Sequence, residues 1–205
     1  MIAILLLAVA TTFPAGGSYT YEIETPSGTQ YSTTVVITPT RNGVTTHEAF
    51  GAPTPTATTE QRFDSGLHEL TFAAQQTGGN SLTITFAQSQ AVYSIAGQTH
   101  LLVLDAPDCL LVADNVLTSM VMLPSVILAT GATDCTYVLS TAVQSEKGYV
   151  LDTAPDVHPP QAAAGDASIT MDRSGLHEIV WYDPKTLIPD YIDFGAGVGD
   201  AVLVR

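Results

Sequence analysis

The sequence predicts a mainly β protein with one central helical segment, an α+β chain in which a curved antiparallel sheet is closed over by that helix. Three observations predict it. Most of the chain alternates apolar and polar residues, turn signals built from Gly, Asn, Asp and Pro recur at short intervals, and one long apolar stretch away from the N-terminus, Asp114 to Gly131, lacks the alternation. At helical spacing this stretch places Val116, Met120, Leu123 and Ile127 on one face, flanked by Leu117, Val121 and Leu128, with Thr118, Ser119 and Ser125 opposite. That pattern is an amphipathic helix with a wide apolar side.

The elements follow in order. Tyr19, Tyr21 and Ile23 share a face opposite Thr20, Glu22 and Glu24, and after the turn at Pro26-Ser27-Gly28 the β-branched run from Tyr31 to Thr38 is a second strand. Arg41-Asn42-Gly43 carries an Asn-Gly hairpin signal before the returning strand Val44 to Phe50, and Pro53 and Pro55 mark a loop or edge. Strands at Glu60 to Phe63 and Leu67 to Ala73 flank Asp64-Ser65-Gly66; further strands run through Leu82, Ile84 and Phe86, then Ala91 to Ala96 and Gln98 to Leu104. Cys109 to Ala113 leads into the helix, with Asp114 or Asn115 as its N-cap and Gly131 as its left-handed end; Pro124 is expected to kink or divide it. Strands resume at Cys135 to Thr141 and Tyr149 to Thr153, and Pro155 to Gly165 is a loop by composition. A last meander comprises Ser168 to Asp172, Leu176 to Tyr182, a type I turn at Asp183-Pro184, Leu187 to Phe194, and Ala201 to Val204.

One segment occurs twice. Ser65-Gly66-Leu67-His68-Glu69 returns as Ser174-Gly175-Leu176-His177-Glu178, which reads as two equivalent hairpins in one sheet rather than a tandem duplication.

With 205 residues and 45% hydrophobic content, the chain can bury one core, and a single domain is expected over 18–205. Six Lys and Arg against 20 Asp and Glu give a net charge of −14, and the cations Arg41, Arg62, Lys147, Arg173, Lys185 and Arg205 are scattered singly. This charge repels phosphate backbones and anionic lipid surfaces, so no nucleic-acid partner is expected. Met1 to Ala10 is an unbroken apolar run followed by small residues up to Gly17, which reads as a signal peptide over 1–17 and a periplasmic or secreted protein; a buried first strand is the alternative. The run from Val116 to Ala132 is short for a membrane span, contains Pro124 and lies between Asp114 and Asp134, so no stable membrane insertion is expected. Cys109 and Cys135 bracket the helix as a disulfide candidate that would constrain the unfolded chain by roughly 3 kcal/mol, two buried thiols being the alternative.

Chemistry is sparse. His68 and Glu69 point to opposite faces of a strand, as do His177 and Glu178, so neither pair binds one ion, and no metal site is expected. No Gly-x-Ser-x-Gly elbow is present, and Gly195-Ala196-Gly197-Val198-Gly199 precedes a strand rather than a helix, which makes it a turn and not a phosphate loop. No catalytic residue and no cofactor are expected. The apolar residues remain: Val116, Leu117, Met120, Leu123 and Ile127 of the helix with Tyr93 and Trp181 of the sheet are the candidate lining of a ligand cavity, a plain filled core being the alternative.

At Trp181-Tyr182-Asp183-Pro184-Lys185-Thr186-Leu187-Ile188-Pro189, with Ala113-Asp114-Asn115 entering the helix and Leu123-Pro124 within it, the chain resembles the half-barrel superfamily of the lipoprotein carriers LolA and LolB, and more closely the uncharacterised periplasmic proteins of that fold. The resemblance implies a strongly curved antiparallel half-barrel closed by a helical lid, with an apolar cavity for an acyl chain or similar small molecule and no catalytic residues. The chain departs from that family in having no cationic residue on the helix or beside it to meet a lipid headgroup. The expected function is that of an exported, non-enzymatic binding protein for an apolar, lipid-like ligand. The alternative is a structural or protein-interaction domain of the cell envelope.

Overall fold

The computed structural model describes residues 13–51, 55–79, 81–105, 108–114, 116–152 and 157–204. The expected signal peptide spans 1–17, of which 1–12 lie outside the described residues. Its last residues are packed: the Ala15 N–H donates to the Thr186 carbonyl at 2.8 Å, the Tyr19 hydroxyl to the Ala15 carbonyl at 2.9 Å, and Phe13 rests on the main core.

The chain is mainly β with one helix. Eight strands come first: β1 Gly17–Glu24, β2 Gln30–Thr40, β3 Gly43–Phe50, β4 Ala57–Asp64, β5 Glu69–Gln76, β6 Ser81–Ala87, β7 Gln90–Ile95 and β8 Gln98–Val103. Then come β9 Leu110–Ala113, the helix α1 Leu117–Thr130, β10 Asp134–Leu139, β11 Ser145–Leu151, β12 Ala167–Arg173, β13 Leu176–Tyr182, β14 Pro189–Asp193 and β15 Asp200–Leu203. All join one 15-stranded sheet in the order β8-β7-β6-β5-β4-β3-β2-β1-β15-β14-β13-β12-β11-β10-β9. Two meanders are thus joined where β1 meets β15, with Tyr21 opposite Leu203.

Every pair is antiparallel except β9 and β10, which run parallel with Leu110 opposite Thr136. A parallel pair cannot be closed by a hairpin and needs a crossover of a dozen or so residues; α1 is that crossover. The same register brings Cys109 beside Cys135, which are joined by a disulfide with Cα atoms 4.6 Å apart.

Strand alternation decides what is inside. Tyr21, Ile23, Val35, Ile37, Val44 and Phe63 are buried in a main core together with α1 and residues of β10, β12, β13 and β14. A second cluster holds Phe72, Ile84, Phe86, Ala91 and Tyr93 of β5 to β7 against Val112 of β9, Val116 and Val138 of β10. Within it the Tyr93 hydroxyl of β7 donates to the Leu139 carbonyl of β10 at 3.3 Å. Those strands are twelve places apart in the sheet order, which in a flat sheet would be roughly 60 Å at the usual strand spacing.

The helix differs from expectation in three ways. It is not amphipathic: every residue from Leu117 to Val126 is buried, Thr118, Ser119 and Ser125 included, and only its C-terminal end emerges, with Leu128 51% exposed. Surrounded by β3, β9, β13 and β14, it has no solvent face for polar residues to mark. Nor does Asp114 cap it: the N-cap position is Val116, without a side-chain bond, while Asp114 takes φ 67° and its carboxylate accepts from the Thr141 N–H and hydroxyl. Asn115 lies outside the described residues. Finally, the helix runs unbroken through Pro124. Gly131 ends it at φ 66°, its N–H donating to the Ile127 carbonyl.

Both copies of the repeated pentapeptide lie in antiparallel hairpins of the one sheet, β4–β5 and β12–β13, but their turns differ. In the second copy Ser174 and Gly175 form a tight turn, both at positive φ, and Arg173 pairs directly with Leu176. In the first the loop is wider: Phe63 pairs with Glu69, and Leu67 takes φ 62°. The neighbouring Asp explains the difference. Asp64 immediately precedes Ser65 and its carboxylate accepts from the Gly66 and His68 N–H groups at 2.8 and 3.0 Å, an Asx-type loop. Asp172 stands one residue further back and, of the turn's N–H groups, accepts only from Gly175, at 3.5 Å. In both copies the His is exposed and the Glu buried. The β2–β3 hairpin also turns one residue early, on Arg41-Asn42, because Gly43 is already paired with Asp64, whose backbone leaves no room for a Cβ.

Candidate functional site

A cavity of about 400 Å³ opens at the N-terminal end of α1, at the lower end of the roughly 300–1,000 Å³ typical of small-molecule sites. Val116, Leu117 and Met120 form its helical wall, Ile23, Tyr31 and Phe50 come from β1 to β3, and Phe194 and Val198 from the turn between β14 and β15. That turn is the Gly195–Gly199 run. Its three glycines all have positive φ, and the backbone of Glu24 approaches Gly199 too closely for any side chain.

The structure divides the expected lining. Val116, Leu117 and Met120 meet the cavity, but Leu123, Ile127, Tyr93 and Trp181 do not. Leu123 and Ile127 lie further along the helix, packed in and against the main core. Tyr93 belongs to the second cluster, and the Trp181 ring lies 4.5 Å from that of His158. These four share apolar character with the lining but are not part of it.

What the sequence reading missed is polar. Arg173 of β12, Glu178 of β13 and Tyr137 of β10 all line the cavity. The Arg173 Nη2 lies 3.2 Å from Glu178 Oε1, the Tyr137 hydroxyl donates to Glu178 Oε2 at 2.5 Å, and the guanidinium sits over the Tyr137 ring at 4.6 Å. Glycine makes this possible: at Gly148 a Cβ would strike the Tyr137 ring. Burial raises the Glu178 carboxyl above the ordinary range, held back by the Tyr137 hydroxyl and the charge of Arg173. Burial, reinforced by the Glu178 charge, raises the Tyr137 phenol, so it stays a donor. A cation therefore does stand near the helix, correcting the expectation of none, because β12 and β13 bring in residues remote in sequence.

Two further carboxyls are buried beside the helix. Glu48 of β3 accepts from the backbone N–H groups of Leu117 and Thr118 at 3.4 and 3.1 Å and from the Thr118 hydroxyl at 2.7 Å, which makes it the true N-terminal cap. Burial pushes it up to about 7 against these bonds. Glu69 of β5 accepts from Gln61 Nε2 at 2.8 Å, and the same nitrogen reaches Ser119 Oγ at 3.0 Å. Burial pushes Glu69 up to about 8. The doubled pentapeptide could have signalled Glu69 and Glu178, since its Glu opens an apolar strand on the inward face; nothing around Glu48 marks it.

The exposed halves of the pentapeptides do not meet. His68 lies 3.2 Å from Asp64 and His177 3.5 Å from Asp172, each with its own hairpin's acid. Among the described residues no group of three His, Cys, Asp or Glu gathers as a metal set, and no helix is long and apolar enough to cross a membrane.

No family model matches the chain, and no curated protein matches it. Among solved structures it is similar to the crystal structure of a beta-barrel-like protein of a domain of unknown function, DUF1849, from Brucella abortus, with 11% identity and a TM-score of 0.47 over 94% of this chain and 96% of that one. A likeness at that level carries no assignment of family or function.

Proposed function

We propose that the protein is an exported, non-enzymatic binding protein that holds an apolar, lipid-like ligand between a curved sheet and the helix. The observation that carries this reading is the cavity of about 400 Å³, whose walls from α1, β1, β3 and the β14–β15 turn are Leu117, Met120, Ile23, Phe50, Phe194 and Val198. In this reading the sheet is a half-barrel: the bond from Tyr93 to Leu139 supports a sheet curled enough for strands twelve places apart to touch. The helix then acts less as an outer lid than as a plug inside the curl. The Cys109–Cys135 disulfide supports an oxidising compartment outside the cytosol.

The test is uptake of a neutral fluorescent probe, N-phenyl-1-naphthylamine, by the purified protein. Saturable enhancement that is lost in a folded Met120→Asp variant supports the reading; no enhancement at any protein concentration removes it. The second reading, an interaction domain of the cell envelope, is favoured by one observation. Strand β8 ends the sheet order and exposes Leu101 at 58% and Val103 at 70%. Probe uptake unaffected by Met120→Asp but abolished by Leu101→Lys would favour it.

A further inference from the structure

The cavity is not uniformly apolar, and its polar corner is unevenly satisfied. Both carboxylates on its wall are already engaged. Glu178 receives Arg173 on one oxygen and the Tyr137 hydroxyl on the other, and Asp114 receives the N–H and hydroxyl of Thr141 at 3.3 and 2.7 Å. Arg173 is the opposite case. Its side chain is only 18% exposed, and among the described residues its one hydrogen-bonded acceptor is Glu178. A guanidinium has five N–H donors in a fixed fork, so most of this one's donors remain open on a cavity wall.

The fork is also held in place. Glu178 holds one arm, and the Tyr137 ring lies beneath the guanidinium at 4.6 Å. A mostly buried, incompletely paired guanidinium held next to apolar walls is complementary to a group with two acceptor oxygens attached to an aliphatic body. The net charge of −14 does not oppose this at short range, because exposed charges are screened beyond about 8 Å at physiological salt while a nearly buried donor is screened far less.

We propose that the ligand of this cavity is an aliphatic carboxylic acid, its carboxylate taken by Arg173 and its chain lying along Leu117, Met120 and Phe194. This rests on the binding-protein reading above and names the ligand class of the same site.

The experiment is competition for bound N-phenyl-1-naphthylamine by three amphiphiles of equal length: dodecanoic acid, dodecan-1-ol and dodecylamine. The acid is expected to displace the probe at about one-tenth the concentration of the alcohol, the scale of one charge-assisted bond. In the double variant Arg173→Met with Glu178→Gln, which leaves no unpaired buried charge and keeps an acceptor for Tyr137, the roughly tenfold advantage of the acid over the alcohol should vanish. Equal displacement by acid and alcohol, or a preference for the amine, overturns the assignment but leaves a binding cavity. An acid preference that survives in the double variant also overturns it, by placing the headgroup elsewhere. Failure of the probe and all three amphiphiles to bind removes the binding-protein reading and this assignment together.

Discussion

The Glu48 carboxylate of β3 caps the helix seventy residues away, Oε2 lying 2.7 Å from the Thr118 hydroxyl oxygen and 3.1 Å from the Thr118 nitrogen. Thr33 and Thr59 also donate to it. Replacement by Ala would remove the cap and leave the buried Thr118 hydroxyl without this acceptor, and is expected to cost about 2–4 kcal/mol, since a lost cap costs about 1 kcal/mol and one orphaned buried group about 1–3 kcal/mol. Glu48→Gln should cost less, as the amide oxygen still accepts. Urea unfolding checks both; a wild-type midpoint for Glu48→Ala would show that the helix start is satisfied in another way.

The pH dependence of stability should run opposite to ordinary acid denaturation. Glu48 and Glu69 titrate near 7 and 8 when folded, against a usual value of 4.5. Between 4.5 and those values the folded protein holds protons that the unfolded chain has released, so stability falls as pH rises through this window and levels off above 8. At about 1.4 kcal/mol per pH unit for each group, the loss amounts to several kcal/mol. Denaturation midpoints at pH 5, 6.5 and 8 measure it, and a midpoint that climbs from pH 5 to 8 would contradict the raised values.

Gln61 Oε1 and Glu69 Oε2 are both buried with no partner. A protonated Glu69 supplies the missing donor, so Glu69→Gln, which carries a permanent donor, should change stability by less than about 1 kcal/mol at pH 5 and reduce the pH slope. Glu69→Ala leaves Gln61 Oε1 with no donor to receive and only Ser119 Oγ for its Nε2, and should cost about 2–3 kcal/mol at the same pH. Equal losses in the two variants would mean that the carboxyl is held by something other than this pairing.

Leu123 and Met120 lie one helical turn apart and have different duties. Leu123 is fully buried in the main core, so Leu123→Ala is expected to lower stability by about 2–5 kcal/mol and leave probe affinity within about twofold of wild type. A selective loss of affinity at unchanged stability would place Leu123 on the cavity wall.

The disulfide closes the β9–α1–β10 crossover over a sequence separation of 26. Cys109→Ser with Cys135→Ser should therefore lower stability by about 3 kcal/mol in the chain-entropy account. Thermal unfolding with and without reductant is the measurement, and the reductant should have no effect on the double variant.

Much of the architecture was legible because it depends on local pattern. Most strands lie where alternation and turn residues place one, although β9 reads only as a lead into the helix and β11 begins at Ser145, four residues before its expected start, and Gly131 ends the helix as its backbone freedom suggests. The misreadings share a cause. Helical periodicity reports which residues are apolar and not what surrounds them, so Thr118 and Ser119 looked like a solvent face when their partners were Glu48, from a strand, and Gln61. The cavity was half legible for the same reason. Val116, Leu117 and Met120 are neighbours in sequence, whereas Arg173, Glu178 and Tyr137 converge only through the register of β10 to β13. Identical pentapeptides folding into unlike turns show the limit at its smallest scale, where one shifted Asp sets the loop width.

The pairing of β1 with β15 fixes an order of assembly. Each meander can zip up from neighbouring hairpins as its strands emerge, but Tyr21 waits for Leu203 before the two halves become one sheet. Until that step both halves carry an open strand edge, so the slow and vulnerable stage of folding is the last one, when the chain's most distant segments must find each other.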